Sequence, residues 1–461
     1  MEKEKKYIPF ILATGIFMQM LDSTILNTSL PAIAADLHES PLDMQNAIVS
    51  YVLTLALFMP ASGFLADRFG TKKIFILAVL VFTLGSFCCA ISQNLPQLVV
   101  SRVLQGIGGA MITPVGKLAM IKSYSKNEII IAMNYAIIPA LIGPILGPLV
   151  GGYMVDYLSW HWIFLINIPI GLTGIILSIK YMPDFKERDS HFDSKGFLIF
   201  AAASLLLSLA LEFLGESKQL SPILLMILLG FSLLYFYYRH AMKNNNALFP
   251  LELFKIRTFR VGFYGNMATR LGISAVPLLI PLMIQIAYGQ SAVVSGWIVA
   301  PMALTAMLGK SLVVKILNVF GYRATLRTNT VLIGLLIMCF AIPSVSDSIY
   351  WFIPIVVLLG FFNSIQFTSM NTIAIARLRD RQNSSGNSLI SVNQQLAIGF
   401  GIAFGMVVLR FFETKIIGNQ TNIHQAFRYT FICVGLLTVL SSFVFQQLHN
   451  KDGNNMKTES Q

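Results

Sequence analysis

The sequence predicts an all-α membrane protein of fourteen transmembrane helices, and two features of the chain make that prediction. Of its 461 residues, 55% are hydrophobic and only 12% are charged, against about 25% charged in soluble domains. Apolar runs of about twenty residues, the length that crosses a bilayer, recur along nearly the whole chain. Because no soluble core could bury so much apolar surface, we expect a polytopic membrane protein.

The apolar runs define the predicted spans in order. They lie at 7–34, 46–66, 73–92, 96–121, 128–153, 161–182, 195–214, 220–240, 258–286, 293–316, 324–343, 349–376, 386–411 and 427–447. Because the number of spans is even, both termini are expected on the same side of the membrane.

The charged residues predict which side that is. One set of alternate loops is strongly basic and contains Lys3, Lys5, Lys6, Arg68, Lys72, Lys73, Lys122, Lys126, Lys186, Arg188, Arg239, Lys243, Lys255, Arg257, Arg260, Arg323, Arg327, Arg377, Arg379, Arg381, Lys451 and Lys457. The opposite set has few cations and several acids: Lys218, Lys415, Arg428, Asp36, Glu39, Asp43, Asp156 and Asp347. Basic loops stay in the cytoplasm, so both termini are expected there. The net charge of +12 reflects this asymmetry, and no nucleic-acid partner is expected.

Neither a cofactor nor a metal is expected, and the chain does not look like an enzyme. Its four cysteines lie in apolar runs without metal-ligand spacing, which also argues against a disulfide framework. Residues 304–311 approximate a phosphate-binding loop, but the first glycine is missing and no strand precedes it. The basic residues 1–6 lead into a long span without a small-residue cleavage site, so a removable signal peptide is not expected.

Two pairs of similar short segments, here called the first and second echo, indicate an internal repeat. The loop after span two contains Phe69-Gly70 and the loop after span ten contains Phe320-Gly321, with similar neighbours. Gln105-Gly106 in span four is likewise echoed by Leu359-Gly360 in span twelve. Repeats of this kind build many secondary transporters. We therefore expect two pseudo-symmetric six-helix bundles at 1–190 and 246–450, an inserted helix pair at 191–245, and a cytoplasmic tail at 451–461.

Span five contains an unusual run of small residues and prolines. Gly143, Gly147 and Gly151 are spaced four apart and leave a bare stripe on a helix, with Gly152 beside it. Such a stripe lets a second helix approach backbone to backbone. Pro144 and Pro148 remove helix hydrogen bonds and favour a bend. The run predicts a packing seam between moving helices, or an ordinary close-packed helix pair.

One acidic residue is predicted to lie deep inside the core spans. Asp22 is expected roughly 22 Å from the cytoplasmic end of a core about 30 Å thick. Arg102 is expected at a similar depth, about 9 Å below the outer surface. Gln19 shares a helix face with Asp22, as Gln105 does with Arg102. The group predicts a proton-coupling site in which protonation of Asp22 breaks an ion pair, or a static pair joining two helices.

Further polar residues within the spans predict a substrate cavity. Its expected members are Gln19, Gln105, Arg270, Lys310, Gln366 and Gln394. Buried cations are costly without a partner, so Arg270 and Lys310 favour an organic anion or a carboxylate-rich chelate as substrate. Alternatively, the two cations bond helix carbonyls and the amides join helices to one another.

Five segments in order also resemble motifs of one transporter family. They are Leu21–Pro31, Gly63–Lys73, Arg102–Ala110, Gly143–Gly152 and Trp160–Gly171. They are similar to motifs of the major facilitator superfamily, within it the fourteen-span drug:proton antiporters of the QacA/EmrB type, and over the whole chain the MdtD-type multidrug transporters. In the second half the likeness rests on residues 384–389 and 394–395.

The resemblance implies roles for two of these segments. Gly143–Gly152 matches the antiporter motif on helix five. Gly63–Lys73, here named the signature loop, matches the gating loop of the family through Gly63, Asp67, Arg68, Gly70, Lys72 and Lys73. Asp67 is expected to accept hydrogen bonds from helix N-termini, and the cations to pair with carboxylates or C-terminal carbonyls. Positive-inside anchoring is the alternative for the cations.

Together these expectations describe a proton-coupled exporter of small organic molecules that works by alternating access in a bacterial inner membrane. Its expected partners are its substrate, protons and lipid, and it is expected to be monomeric. The alternatives are an organic-anion importer, a proton-independent carrier or, from another class, a non-transporting membrane receptor.

Overall fold

The computed structural model describes residues 5–125, 128–187, 192–216, 220–244, 247–417 and 423–453. Within these ranges every regular element is a helix. The α-helices are α1 Ile8–Ile25, α2 Leu30–Asp36, α3 Gln45–Phe58, α4 Ala61–Phe69, α5 Thr71–Ala90, α6 Leu95–Ser123, α7 Ile129–Tyr157, α8 Trp162–Leu165, α9 Asn167–Tyr181, α10 Ser194–Glu216, α11 Leu220–Lys243, α12 Arg257–Ile273, α13 Val276–Leu282, α14 Ala292–Cys339, α15 Phe352–Ile375, α16 Asp380–Phe411 and α17 Ile423–Ser441. Tighter or wider helical turns occupy Leu26–Thr28, Leu251–Lys255, Met283–Ala287, Ile349–Trp351, Phe412–Ile417 and Ser442–Gln447.

The described helices confirm a multi-pass membrane chain, but with a different count of spans. Twelve are long and apolar enough to cross a membrane, or thirteen if α3 and α4, bent by 56° at Pro60, form one span. The sequence predicted fourteen. The difference arises because the predicted spans 293–316 and 324–343 both fall within α14. That helix is interrupted at Gly321, whose backbone is non-helical.

The chain divides into two compact units. The first is Met1–Phe192 with Ser291–Ala300, and the second is Asp193–Gln290 with Pro301–Gln461. In the first unit α1 packs along α7, α5 along α6, and α3 against α6. In the second, α12 packs against α15, α16 and α17, while α10 packs against α11 and α16.

The first echo of the sequence corresponds to a shared backbone conformation. Gly70 has φ 104° and ψ 141°, and Gly321 has φ 73° and ψ 166°. This region is open almost only to glycine, so both loops need glycine at the same place. The cations that follow also behave alike. Lys72 bonds the carbonyl of Ile179 at 2.6 Å, and Arg323 bonds the side chain of Asn450 at 3.1 Å.

The second echo corresponds to equivalent helix contacts. A Cβ on Gly106 would lie 2.7 Å from the Cβ of Thr54, on the second predicted span. A Cβ on Gly360 would overlap the carbonyl oxygen of Met302 and the hydroxyl of Thr305. Gly106 therefore lets α6 approach α3, and Gly360 lets α15 approach α14.

Some expectations concern residues outside the described ranges. These are the positions of Lys3, Lys126, Arg188, Lys218 and Lys457, and most of the tail 451–461. The four cysteines are free thiols.

Candidate functional site

An ion pair, Asp22–Arg102, lies in the interior of the first unit. Asp22 comes from α1 and Arg102 from α6, and their Oδ2 and Nη1 atoms are 2.6 Å apart. Each residue is only 1% exposed. The two side chains that the sequence places at similar depth are thus in direct contact.

Three donors hold the carboxylate of Asp22. Besides Arg102, the Nε2 of Gln105 donates to Oδ1 at 2.7 Å, and the Nδ2 of Asn167 donates to the same oxygen at 3.1 Å. The hydroxyl of Ser86 accepts from both amides, at 3.1 and 2.9 Å. Three helices, α1, α6 and α9, therefore meet at one carboxylate, and α5 joins them through Ser86.

The guanidinium of Arg102 has partners of its own. Its Nε donates to the carbonyl of Ala47 at 3.0 Å, and its Nη1 donates to Oε1 of Gln105 at 2.5 Å. Its Cζ lies 4.2 Å from the ring centre of Tyr51. These contacts connect the ion pair to α3, so the pair couples α1 to both α3 and α6.

Sequence reasoning identified part of this cluster. Gln105 bonds Asp22 directly. No bond to Asp22 is seen for Gln19, whose Oε1 accepts from the hydroxyl of Thr113 at 2.8 Å and whose side chain also adjoins Tyr51 at the edge of the cluster. Asn167, Ser86 and Tyr51 were missed. Asn167 belongs to a segment that resembles a family motif, which is a usable signal, whereas Ser86 is indistinguishable from other serines in the spans.

The glycine stripe of Gly143, Gly147 and Gly151 faces α1. A Cβ on Gly143 would lie 3.0 Å from the backbone nitrogen of Leu21, and one on Gly151 would lie 2.5 Å from the carbonyl oxygen of Ile25. On Gly147 it would overlap the hydroxyl of Thr24. No side chain fits there without movement, so α7 packs backbone to backbone on the helix that carries Asp22.

A second close contact lies on the other side of the stripe. A Cβ on Gly152 would lie 2.6 Å from the carbonyl oxygen of Ala292, at the start of α14. The hydroxyl of Thr28 is within 3.4 Å of the carbonyl of Pro148. Pro144 and Pro148 both lie within α7, which is one helix over Ile129–Tyr157.

The signature loop carries a chain of charges at the end of the unit where α4 meets α5. The Nζ of Lys122, in the last turn of α6, is 3.0 Å from Oδ1 of Asp67 and 2.7 Å from Oε1 of Glu187. The backbone N–H of Glu187 also donates to the carbonyl of Asp67 at 2.9 Å. The loop is thus tied to the end of α6 and to the segment after α9.

The expected role of Asp67 as a helix cap needs correction. Its carboxylate bonds Lys122, while Asp184 accepts the backbone N–H of Lys72 at the N-terminus of α5, at 3.1 Å. Asp67 lies in the last turn of α4, from which it reaches the end of α6. The sequence missed Asp184 and Glu187, although acids in a basic loop are a recognisable signal.

The remaining members of the loop differ in environment. Lys72 bonds an α9 carbonyl, as expected of a cation near a helix C-terminus. Lys73 is exposed, and the guanidinium of Arg68 stacks on Phe64 and Phe69 at 5.7 and 5.6 Å. A Cβ on Gly63 would meet open space. Nothing in the structure explains a need for glycine at that position.

The predicted cavity residues of the second unit do not form one cluster. Arg270 is half-buried; its Nε donates to Oδ1 of Asn266 at 2.7 Å, and its Cζ lies 5.0 Å from the ring centre of Phe367. Lys310 is exposed. Within the described part of the chain neither cation forms an ion pair with a carboxylate.

The two amides join helices, as their alternative interpretation holds. Gln366 is buried between Asn329 and Thr330, with bonds of 2.9 and 2.7 Å. Gln394 donates to Asn371 on α15. A side chain whose donors and acceptors are already bonded has little left for a substrate.

Comparison with known proteins identifies the family. The family model described as "Major Facilitator Superfamily" matches residues 12–402 and 262–451. The chain belongs to the major facilitator superfamily. It is 42% identical over 451 residues to the "Probable transport protein HsrA" of Haemophilus influenzae, covering 98% of this chain and 97% of the relative. It is also 42% identical over 443 residues to the "Putative multidrug resistance protein MdtD" of Pectobacterium atrosepticum, with 95% of each chain covered.

Solved transporter structures share the fold of this chain at low identity. A peptide transporter POT in complex with sulfate has a TM-score of 0.70 at 14% identity, with 98% of this chain and 96% of that chain covered. The nucleoside transporter NupG has a TM-score of 0.65 at 13% identity, with 98% and 100% covered. The chain is therefore a multi-pass secondary transporter of the superfamily and not an enzyme, with relatives named for multidrug resistance. A small-molecule substrate follows from the family.

Proposed function

We propose that this chain is a proton-coupled exporter of small organic molecules, working by alternating access in the bacterial inner membrane with both termini in the cytoplasm. The observation that carries the proposal is the Asp22–Arg102 pair, which is buried and hydrogen-bonded to neighbouring helices. An ionisable group at membrane depth costs about 2.5–3.5 kcal/mol on insertion scales, so a functional role is its default interpretation.

Protonation of Asp22 supplies the coupling step. A neutral carboxyl group no longer attracts the guanidinium, so Arg102 loses its main partner while its bond to the Ala47 carbonyl persists. Leaving one member of a buried pair charged and alone is strongly unfavourable. The unit is then driven to an arrangement in which Arg102 finds water, substrate or another acceptor.

The glycine stripe transmits this change to the rest of the unit. α1 carries Asp22 and lies against Gly143, Gly147 and Gly151 without intervening side chains. Contacts between backbones permit sliding more readily than interlocked side chains do, which suits a seam between moving helices. The ion pairs of Lys122 with Asp67 and Glu187 close the cytoplasmic end of this unit. In the proposed cycle they break when that end opens and form again when it closes.

We infer that the chain crosses the membrane fourteen times. The spans form two six-helix bundles with an inserted helix pair between them. In support of this count, α14 is 48 residues long, about 72 Å at 1.5 Å per residue, more than twice a bilayer core of about 30 Å. Dividing it at Gly321, where the helical backbone is interrupted, and counting the bent α3–α4 pair once gives fourteen. The matching loops at Gly70 and Gly321 support the repeat.

Arg270 favours an anionic or chelating substrate among the organic molecules. Its described partners are a neutral amide and an aromatic ring, so its charge is uncompensated. An anion leaving a cell with a negative interior gains about 2.3 kcal/mol per charge per 100 mV, which reduces the number of protons needed. An importer or a proton-independent carrier of organic anions is the second candidate on the same observation.

Transport into inside-out vesicles tests the coupling. We expect Asp22→Asn to insert normally, to lose uphill uptake driven by a proton gradient, and to retain exchange of substrate across the membrane, which needs no net proton movement. The matched control is Glu39→Gln, an exposed carboxylate. Uphill uptake by Asp22→Asn with unchanged pH dependence would place the proton carrier elsewhere.

The same vesicles test the substrate class, with a tricarboxylate and a quaternary ammonium dye as probes. We expect Arg270→Gln to lose tricarboxylate uptake and to leave any dye uptake unaltered. Robust dye transport without tricarboxylate transport, in wild type and variant alike, would favour the multidrug interpretation.

A further inference from the structure

Two cavities of the second unit follow one another along the same helices. The first, here named the apolar crevice, has a volume of about 450 Å³ between the inserted pair α10–α11 and the helices α12 and α16. Its walls include Phe200, Leu207, Phe231, Met267, Leu389 and Phe400. The second, here named the basic cavity, measures about 520 Å³ and is lined by Glu252, Lys255, Ile256, Arg377, Arg379 and Gln382.

Helical spacing places both cavities on one continuous face. On α16, Gln382 lines the basic cavity, and Leu389 and Phe400 line the apolar crevice, seven and eighteen residues further on. Positions seven or eighteen apart lie on the same side of a helix. Gln382 and Leu389 are about 10 Å apart along the axis. Ile256, which lines the basic cavity, directly precedes α12, and Phe263 of the same helix lines the crevice.

The helix ends show where the two cavities lie in the membrane. α10, α12 and α16 begin at Ser194, Arg257 and Asp380. Near that end Asp193 joins the inserted pair to the segment before α12, at 2.8 Å from Nε2 of His240 and 3.1 Å from the backbone nitrogen of Leu248. The basic cavity is therefore at the membrane surface, and the crevice extends from it into the hydrocarbon region.

The crevice is shaped for a hydrocarbon chain. Its lining is almost wholly carbon, and the amide of Asn393 in its wall is bonded to the carbonyl of Phe263 at 2.9 Å. Protein interiors rarely leave voids much larger than a water molecule, and water enters only polar sites. At this depth the available apolar filler is an acyl chain.

The basic cavity is shaped for a negative headgroup. Arg377 already shares Asp452 with Arg257 at 3.0 and 2.9 Å. Lys255 and Arg379 are exposed, and neither forms an ion pair in the described part of the chain. Among the lining residues that the structure describes, Glu252 is the one acid, so these side chains carry a net positive charge that favours phosphate.

We propose that the two cavities form one binding site for an anionic phospholipid. Its phosphate lies between Lys255 and Arg379, and one acyl chain fills the apolar crevice between the inserted pair and α12 and α16. The lipid thereby supplies packing that the side chains of α10 and α11 leave incomplete, and it holds the inserted pair to the second unit. This site is independent of the Asp22–Arg102 pair and of the direction of transport.

Thermal unfolding of the delipidated protein in detergent tests the site, with phosphatidylglycerol, phosphatidylcholine of the same chains, and glycerol phosphate as probes. We expect phosphatidylglycerol to raise the midpoint at concentrations where the other two do not. The double variant Lys255→Gln, Arg379→Gln should weaken the phosphatidylglycerol response about thirtyfold in concentration. The control double variant Lys180→Gln, Lys186→Gln removes two exposed cations of the first unit and should respond as wild type.

A second variant tests the crevice without changing charge. Leu396 lies in the wall of the apolar crevice. In the variant Leu396→Trp, the indole ring should fill the crevice. We expect its lipid-free midpoint to equal or exceed that of wild type while the response to phosphatidylglycerol is lost. A midpoint shift with phosphatidylcholine equal to that with phosphatidylglycerol would overturn the proposal, because any lipid would then fill the crevice. An equal shift with glycerol phosphate would also overturn it, because the site would then bind free anions. A full response in Leu396→Trp or in the Lys255, Arg379 variant would also overturn it.

Discussion

Asp22 lies where a charged carboxylate is stable only while its donors stay in place. Arg102, Gln105 and Asn167 all point at its two oxygens, and no solvent reaches them. Hydrogen bonds to a charged group contribute about 1.5–3 kcal/mol each, and a buried charge left without them loses that full amount. One proton can therefore change the preferred arrangement of α1, α6 and α9, which supply these contacts.

The geometry of the guanidinium matters as much as its charge. Arg102→Lys keeps the charge but removes the Nε bond to the Ala47 carbonyl and the rigid guanidinium that holds Nη1 against both Asp22 and Gln105. We expect proton-driven transport to fall at least about tenfold, the equivalent of one charged hydrogen bond. Initial rates in vesicles, normalised to inserted protein, measure this.

The control for that change is Arg260→Lys, which alters an exposed arginine of the second unit and should leave the rate unchanged. If Arg102→Lys transports at the wild-type rate with the wild-type pH profile, a simple positive charge is sufficient at this position. The bond to Ala47 would then have no part in coupling α1 to α3.

At the scale of helices, the glycine stripe sets how closely α7 approaches α1. Gly147→Ala introduces a methyl group that overlaps the hydroxyl of Thr24. Overpacking of this kind costs about 1–3 kcal/mol, so we expect a lower thermal midpoint and slower transport. Thr24→Ala, made in the Gly147→Ala background, removes the overlapping hydroxyl and should restore part of both.

Gly63→Ala is the matched control, because a Cβ there meets open space within a helix. It should leave the midpoint unchanged or slightly raised, as alanine favours helices over glycine. Equal effects of the two substitutions would show that the close approach of α7 to α1 is not what the glycines provide.

The chain after α17 is attached to the second unit by a buried acid. Asp452 accepts two bonds of 2.9 Å from Arg257 and one of 2.8 Å from the backbone N–H of His449. Burial alone would raise the pKa of Asp452, but these bonds and the arginine charges hold it below its usual value. Its contribution to stability is therefore complete above about pH 4 and is lost as the pH falls through the lowered pKa.

We expect Asp452→Asn to lower the stability by roughly 2–3 kcal/mol at pH 7, the value of a hydrogen-bonded charge. The difference from wild type should stay constant between pH 5 and 8 and shrink below pH 4. Thermal midpoints in detergent measure it, with Glu39→Gln as the exposed control. A difference that disappears already near pH 6 would contradict the lowered pKa.

The helices were largely predictable from the sequence, because a bilayer leaves backbone groups no partners outside a helix. The contact between Asp22 and Arg102 was also predictable, since the fixed rise per residue places the two side chains at a similar level. The hydrogen bond from Asn167 to Asp22 was not predicted, although its segment was singled out, because the packing of α9 on α1 decides which side chains meet. The partners of Asp67 depend on tertiary packing in the same way.

For the whole molecule, the orientation in the membrane decides what a proton gradient and a voltage can drive. The proposed orientation puts the loop between α2 and α3 outside and the start of α5 in the cytoplasm. Glu39 and Lys73 are exposed in those places, so Glu39→Cys and Lys73→Cys can be compared in a background whose four cysteines are serine. We expect an impermeant thiol reagent to label the first in intact cells and the second only after permeabilisation.

The reverse labelling would contradict both the proposed topology and the proposed direction of transport. With a negative interior, an anion gains about 2.3 kcal/mol per charge per 100 mV when it leaves the cell and loses as much when it enters. Asp22 lies in the half of the core toward the Glu39 loop by the count of residues along α1. In the proposed orientation it is reached first by external protons, the ones that a proton gradient supplies. In an inverted molecule Asp22 would face the cytoplasmic side, and the importer would become the better supported function.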